Sequence, residues 1–404
     1  MDINHFLKSH NSHPDQINAE SCIEALMNAM KLGLDGKGNI PMIPSYLSTG
    51  ITPPVNQNCC VLDAGGTNLR CATALFDEAG NCTLSNIHVQ PMPGTLAPLS
   101  SDELYESLAN EVQRQKHDNR IGFCFSYNVS LDRSLDGPLD AWCKEVQCPD
   151  AVGKPVGRSL KAAMGNEPCI VHVLNDSVAA MLGASANARP VHIGLILGTG
   201  INVCYEEQCA RIGKIKEPLN SDAMIISTEI GEFAGIPKST FDSVVISESS
   251  DPELAQAEKQ CAGGYLGQQI CIAWAQAHRE ALLPDAFKSP DHSLGDISSY
   301  LTGSDSCTIP DHPVAKAIAA KLIERAAKIA AILCAGPVIL SAKQESNIRI
   351  AIEGSQFWKL TGFRPVFLQE LAAMVSPYNI DFEITRTENS CLLGAALAAF
   401  AEPM

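Results

Sequence analysis

Within residues 18–32 the apolar positions Ile23, Leu26, Met27 and Met30 fall on one face of a helix, closed by Gly33 and Gly36. The stretch IPMIPSYLSTGITPP (40–54) has no period and is punctuated by proline, so it reads as a connector. The pattern then changes. CCVLDAGGTNLRCATALF (59–76) predicts strand, tight glycine turn, strand. IGFCF (121–125) and IVHVL (170–174) read as buried strands, the second followed by Asn175-Asp176 and a helical run from Ser177. VHIGLILGTGINVCYEE (191–207) repeats the strand–turn–strand scheme. Helical patterns dominate 251–281 and 314–334, residues 348–352 form a short strand running into Gly354-Ser355, and LLGAALAAF (392–400) is a helix of small residues. Mixed strands and helices with two similar strand–turn–strand units predict an α/β protein of two related halves, with a ligand in the cleft between them.

The 404 residues suit one oversized domain or two ordinary ones, and 46% apolar with 18% charged residues is normal for a chain with a real core. A net charge of −16 argues against nucleic acid and membrane surfaces as partners, and a bound nucleotide must be held by a local site against that field. The 16 cysteines sit in apolar segments, as at Cys59, Cys60, Cys124, Cys204 and Cys334, with no close CxxC pair. They read as small buried hydrophobes of a reducing cytosol rather than as a disulfide framework or zinc ligands. The N-terminus has no apolar core of a signal peptide, and the most apolar stretch, 329–340, carries a proline and is too short to span a bilayer. A soluble cytoplasmic protein is expected.

In LDAGGTNLR (62–70), Gly65 and Gly66 let the backbone turn sharply and bring amide donors close to a ligand, while Thr67 and Asn68 add a hydroxyl and an amide. Asp63, at the strand end, suits a hydrated Mg²⁺, which takes oxygen ligands and keeps its waters. Gly198-Thr199-Gly200 offers the same chemistry from the opposite half. Either turn alone would read as an ordinary hairpin. DxGGTNxR together with GTGxN, both at the ends of apolar strands, reads as a pair that grips a polyphosphate through amides and hydroxyls without a basic patch. Neither is a P-loop, because no GK[ST] follows.

Asp176 opens a helix after an apolar strand. Its plain role is an N-cap, which is compatible with catalysis because a helix N-terminus keeps a carboxylate ionised and fixed. Phosphoryl transfer to an alcohol needs in-line positioning, Mg²⁺ and a carboxylate to accept the hydroxyl proton. On spacing alone, Glu229 in STEIGEF, Glu258 in AEKQCAGGYLG, Lys144 in AWCKEV and Ser126 in FCFSYN do not rise above surface or turn roles.

Taken in order across nearly the whole chain, these motifs resemble the hexokinases of the actin-like ATPase superfamily. LDAGGTNLR is similar to their first phosphate motif, GFCFSYN to the sugar-binding strand end, and AWCKEV to the tryptophan-threonine-lysine segment. VLNDSVAAML resembles the catalytic asparagine-aspartate, GLILGTGINVCYEE the second phosphate motif, ISTEIGEFAG and AEKQCAGGYLG the two sugar-contacting glutamate segments, and IEGSQFWKL the adenosine-side turn. The resemblance implies that Asp176 takes the proton of the sugar 6-hydroxyl, with Lys144 beside the transferring phosphoryl. It implies that Ser126, Cys143, Lys144, Asn175, Asn202, Glu229 and Glu258 hold the other hydroxyls. The nucleotide side would comprise Gly65, Gly66, Thr67, Asn68, Arg70, Gly198, Thr199, Gly200, Gly354 and Ser355, with Asp63 near the Mg²⁺ of Mg-ATP. The implied fold is two ribonuclease-H-like domains around a central cleft, the small one 57–174 plus 390–404 and the large one 1–56 plus 175–389. The implied substrates are a hexose, glucose by default, and ATP; a homodimer is left open.

Some residues depart from the family's pattern. Cys143 stands for the usual threonine, which predicts weaker sugar affinity or an altered hexose preference. Asn128 stands for a proline, predicting a less rigid loop. Cys391 and Leu392 replace small residues on the adenosine side, and Glu353 replaces an aspartate. Residues 282–313 match weakly. The competing reading is a hexose-binding regulator that has lost turnover, and Cys143 with the CLLG segment is its support.

Overall fold

The computed structural model describes every residue except Met1, 143–145, 166–167, 187–188, 305–306, 343–346 and Pro403. The chain begins with α1 (Ile3–Ser9), α2 (Ala19–Leu34) and a two-residue strand, β1 (Ile43–Pro44). The first strand–turn–strand unit is β2 (Asn58–Ala64) and β3 (Asn68–Phe76), followed by β4 (Cys82–Pro91), α3 (Ser101–Gln113) and β5 (Arg120–Phe125). A hairpin of β6 (Asn128–Val129) and β7 (Leu139–Ala141), then α4 (Val156–Ala163) and β8 (Ile170–Leu174), lead to α5 (Asp176–Ser185). The second unit is β9 (Ile193–Leu197) and β10 (Ile201–Gln208), followed by β11 (Ala223–Ser227) and the helices α6 (Thr240–Glu248), α7 (Glu258–Cys261), α8 (Gly263–Arg279), α9 (Leu294–Thr302) and α10 (Pro313–Ser341). β12 (Asn347–Glu353), α11 (Ser355–Lys359), α12 (Phe363–Val375), β13 (Asp381–Thr385) and α13 (Ser390–Ala398) complete the chain.

The strands form two large sheets, in the orders β4-β3-β2-β5-β8 and β1-β11-β10-β9-β12-β13. In the first, β2, β3 and β4 are antiparallel while β5 and β8 run parallel to β2. In the second, β9, β10 and β11 are antiparallel while β12 and β13 run parallel to β9. Apart from the added β1, the two sheets therefore have one topology, as the repeated motif predicts. The central strands β2 and β9 are almost wholly buried and read as continuous apolar runs, because both faces of each sheet are covered.

The helices that follow the fifth strand of each sheet are exchanged. α5 leaves the first sheet and packs on β9, β10 and β12, whereas α13 leaves the second and packs on β2, β5 and β8. The two helices meet between the sheets at Gly183 and Gly394. A Cβ on Gly183 would collide with the Ser390 carbonyl, and one on Gly394 with the Ala179 carbonyl. Leu392 is fully buried in this layer, packed with Val178, Leu182 and Ala351.

Three segments differ from the periodicity. α2 continues through Gly33 to Leu34, because the chain at Ile40 crosses so closely that a Cβ on Gly33 would meet the Ile40 carbonyl. Residues 251–257 are not helical: the chain makes a turn-rich excursion with Ala255 at φ +52°, and helix begins only at Glu258. α10 runs 29 residues and includes Pro337, so the apolar stretch 329–340 is the buried end of a core helix. No helix of the described residues is long and apolar enough to cross a membrane. Of the described cysteines, all but Cys209 and Cys307 are buried.

Candidate active site

The site lies along one edge of both sheets, where the parallel strands β2, β5, β8, β9 and β12 end. In the first half, the Gly65 amide donates to the Asn68 carbonyl (3.0 Å) and closes the β2–β3 turn. The Tyr127 hydroxyl donates to the Gly65 carbonyl (2.8 Å), and the Ser126 amide to the Ala64 carbonyl (3.1 Å), so the end of β5 is tied to that turn. Asp63 is buried at the end of β2 and faces Arg70 across the hairpin. The Arg70 Nε donates to its Oδ2 at 2.8 Å, and a second guanidinium nitrogen reaches the same oxygen. Burial raises the Asp63 carboxyl above the ordinary carboxylate range, and the Arg70 charge opposes that rise.

In the second half, the Gly198 amide donates to the Gly200 carbonyl (3.0 Å), and the first two amides of α8, Gly263 and Gly264, donate to the carbonyls of Gly198 (2.8 Å) and Thr199 (3.0 Å). The turn is thus fastened to a helix N-terminus. Gly354 has φ +116°, and a Cβ there would strike the Leu197 carbonyl, so only glycine lets β12 end beside the turn. Ser355 opens α11, with Gly354 as its N-cap residue. Next to it, the Ser390 hydroxyl donates to Glu353 (2.5 Å), and burial raises the Glu353 carboxyl.

Between the halves is a polar network. Asn175 caps α5 by accepting from the Ser177 amide (2.8 Å) and hydroxyl (2.7 Å). Capping therefore falls to Asn175, and Asp176, the first helical residue, has its carboxylate spared that task. Asn202 Nδ2 reaches Glu229 Oε1 (2.6 Å), Ser227 Oγ (2.9 Å) and Asn175 Oδ1 (3.3 Å). The Ser227 hydroxyl donates to the same Glu229 oxygen (2.9 Å), and the Glu229 amide to Asn202 Oδ1 (3.0 Å). Glu229 holds a left-handed backbone at φ +54°. Its carboxyl is pushed up to about 7 by burial, with the Asp176 and Glu258 charges adding and the Ser227 and Asn202 bonds opposing. Glu258 Oε2 accepts the Ile201 amide (2.9 Å) and rests against Gly200. A crevice between β1 and the ends of β5 and β8 opens onto Tyr127, Asn175, Ser227 and Glu229.

Asp63, Asp176, Asn175, Asn202, Glu229, Glu258, Ser126 and both glycine turns thus lie on one edge of the paired sheets. Cys143 and Lys144 lie outside the described residues. Asn128 pairs with Ala141 in the small hairpin. Cys391 is buried with its Sγ 3.8 Å from the Asp176 carbonyl, under the floor of the site. Ser227, two residues before Glu229, and Ser177 carry no sequence signal for a place in this network. A groove between α6, α8 and residues 288–294, about 950 Å³, begins at Gly263 and Gly264 beside the second turn.

Two like-built sheets, each presenting a glycine turn to a shared cleft, define a nucleotide-using enzyme of the actin-like ATPase fold. Hexokinase family models match residues 2–186 and 192–401. Chloroplastic hexokinase-4 of Oryza sativa is 26% identical over 431 residues, covering 94% of this chain and 84% of that protein. Hexokinase-1 of Saccharomyces cerevisiae is 25% identical, covering 85% and 79%. Among solved structures, hexokinase from Schistosoma mansoni complexed with glucose superposes with a TM-score of 0.81 at 22% identity, covering 99% of this chain and all of that one (100%). The chain belongs to the hexokinase family, and its activity is the ATP-dependent phosphorylation of a hexose.

Proposed function

We propose that the enzyme transfers the γ-phosphoryl group of Mg-ATP to the 6-hydroxyl of a hexose, with glucose as the preferred substrate and Asp176 as general base. The observation that carries this reading is the bonded network Asn175–Asn202–Ser227–Glu229, which ends at the residue preceding Asp176. A neutral polyol fits such a set, because each carboxylate or amide can take a vicinal hydroxyl, and an analogue lacking one would leave a buried group unpaired. Ser126, Asn175, Asn202, Glu229 and Glu258 orient the ring, with Cys143 and Lys144 completing the set.

With the ring held, the 6-hydroxyl gives its proton to the Asp176 carboxylate as its oxygen attacks the γ-phosphorus. The bond from that phosphorus to the β,γ-bridging oxygen breaks, and ADP departs. The two turns, from Gly65 to Asn68 and from Gly198 to Gly200, bind the phosphates through amides and hydroxyls, while Gly354 and Ser355 line the adenosine side. Mg²⁺ would arrive on the nucleotide and neutralise phosphate charge, and Asp63 is the residue that would hold it, through water. Arg70, now on Asp63, is placed to turn toward phosphate when the nucleotide enters. The adenosine half would occupy the groove along α8.

The two sheets support a division into a small domain, 57–174 with 390–404, and a large one, 1–56 with 175–389, that close on the sugar and expel water. A cytoplasmic location fits the reading. The test is ADP release from Mg-ATP over a panel of hexoses. Asp176→Ala is expected to lower kcat by about 10²–10⁴-fold, and a variant that keeps wild-type turnover would remove Asp176 from the role.

A further inference from the structure

The Lys259 side chain is fully buried. Lysine is almost never so unless its charge is paired, and here all three ammonium donors are used on one short loop. Nζ reaches the Asp251 carbonyl (2.6 Å), the Asp251 Oδ1 (2.7 Å) and the Leu254 carbonyl (3.0 Å). The loop is held from its other side by Glu232, whose Oε2 accepts the Ala255 amide (2.8 Å) where the backbone is left-handed. Two residues on, the Ala257 amide donates to the Gly231 carbonyl (2.8 Å). Gly231 and Glu232 follow Glu229 by two and three residues, while Ala257 immediately precedes Glu258. The clip therefore ties the two segments that carry the sugar-facing carboxylates to each other. A Cβ on Gly231 would lie 3.1 Å from the Glu258 Cβ, which shows how little slack remains between them.

We propose that Lys259 is a positioning residue for hexose recognition: through Asp251, Leu254 and Glu232 it fixes where Glu258 stands relative to Glu229. Its ammonium bonds to neither glycine turn; only Glu258 meets the second turn, at Gly200 and the Ile201 amide, so the hexose side bears more of the loss than phosphate binding or proton removal at Asp176. The proposal rests on the hexose reading of Glu229 and Glu258. An aliphatic side chain of similar length can fill the shaft but cannot hold the two carbonyls, so the loop loses its anchor while the core stays packed.

The test compares wild type, Lys259→Met and Asp251→Asn with glucose and Mg-ATP, alongside thermal melts. Asp251 is 46% exposed, so its variant leaves the core intact. For Lys259→Met, the hexose KM rises about tenfold or more, while kcat at saturating hexose stays within about threefold and the Mg-ATP KM within about twofold. For Asp251→Asn, the hexose KM rises about threefold with the melting temperature unchanged, and this variant decides the matter if Lys259→Met does not fold. An unchanged hexose KM in the folded variants, or a Mg-ATP KM that moves in step with it, overturns the proposal. A wild type that turns over no hexose overturns the hexose reading itself and takes the clip with it, so the two failures are distinct.

Discussion

Glu229 owes its chemistry to its surroundings more than to its type. Buried, and facing the charges of Asp176 and Glu258, its carboxyl is pushed up to about 7, while Asn202 and Ser227 bond the one oxygen that would otherwise be stranded. A hexose hydroxyl that donates to Glu229 would be held more strongly by the ionised form. The hexose KM is therefore expected to fall as pH rises from 6 to 8, with proton release on binding, and Glu229→Gln should flatten that profile while raising KM throughout. In the free protein the sign is opposite. A carboxyl whose folded pKa lies above its unfolded 4.5 favours folding fully below that value, and the contribution is lost as pH rises through about 7. Melting temperatures of wild type and Glu229→Gln across this window test it; a parallel pH dependence in both would contradict it. The sequence was clear about Asp176 and Glu229 as motif positions. It was silent about which neighbour caps α5, because asparagine and aspartate are equally good caps; the fold gives that task to Asn175 and not to Asp176. Ser227 was illegible because a serine two residues before a glutamate has no signature until β11 and β10 are paired. Lys259 carries no signature for the same reason.

At the scale of elements, strands were more legible than helices. β2, β3, β5, β8, β9 and β10 follow the apolar runs nearly residue for residue, since a strand buried on both faces needs every position apolar. The helix expected over 251–257 is absent because Lys259 and Glu232 hold that stretch in a turn, an interaction between residues no periodicity connects. No periodicity gives the exchange of α5 and α13; only the resemblance, which groups 390–404 with 57–174 and 175–389 with the other half, implies it, and its enabling residues are plain in the fold. Gly394→Ala should force the α13 backbone off the Ala179 carbonyl and cost about 1–3 kcal/mol, read as a lower melting temperature. Gly354→Ala should raise the Mg-ATP KM while leaving hexose binding in place, since the strain falls on the turn beside Leu197 and not on Glu229. A variant whose two KM values rise equally would contradict that separation.

The whole molecule is two copies of one sheet topology brought together across exchanged helices, and that doubling supplies two glycine turns where a single sheet would supply one. In the proposed reading this lets a chain of net charge −16 use a polyanionic substrate, because the phosphates would meet backbone amides and hydroxyls rather than a basic surface. Hexose at 100 times its Kd should raise stability by about 2.7 kcal/mol, seen as a higher melting temperature, and a non-hydrolysable nucleotide should add to it. The measurement that bears most directly on the account is ADP release from Mg-ATP, with and without glucose, for wild type and Asp176→Ala side by side. Glucose-dependent release in wild type, lowered about 10²–10⁴-fold in the variant, is the result predicted. Release that ignores glucose, or that survives intact in Asp176→Ala, would contradict it.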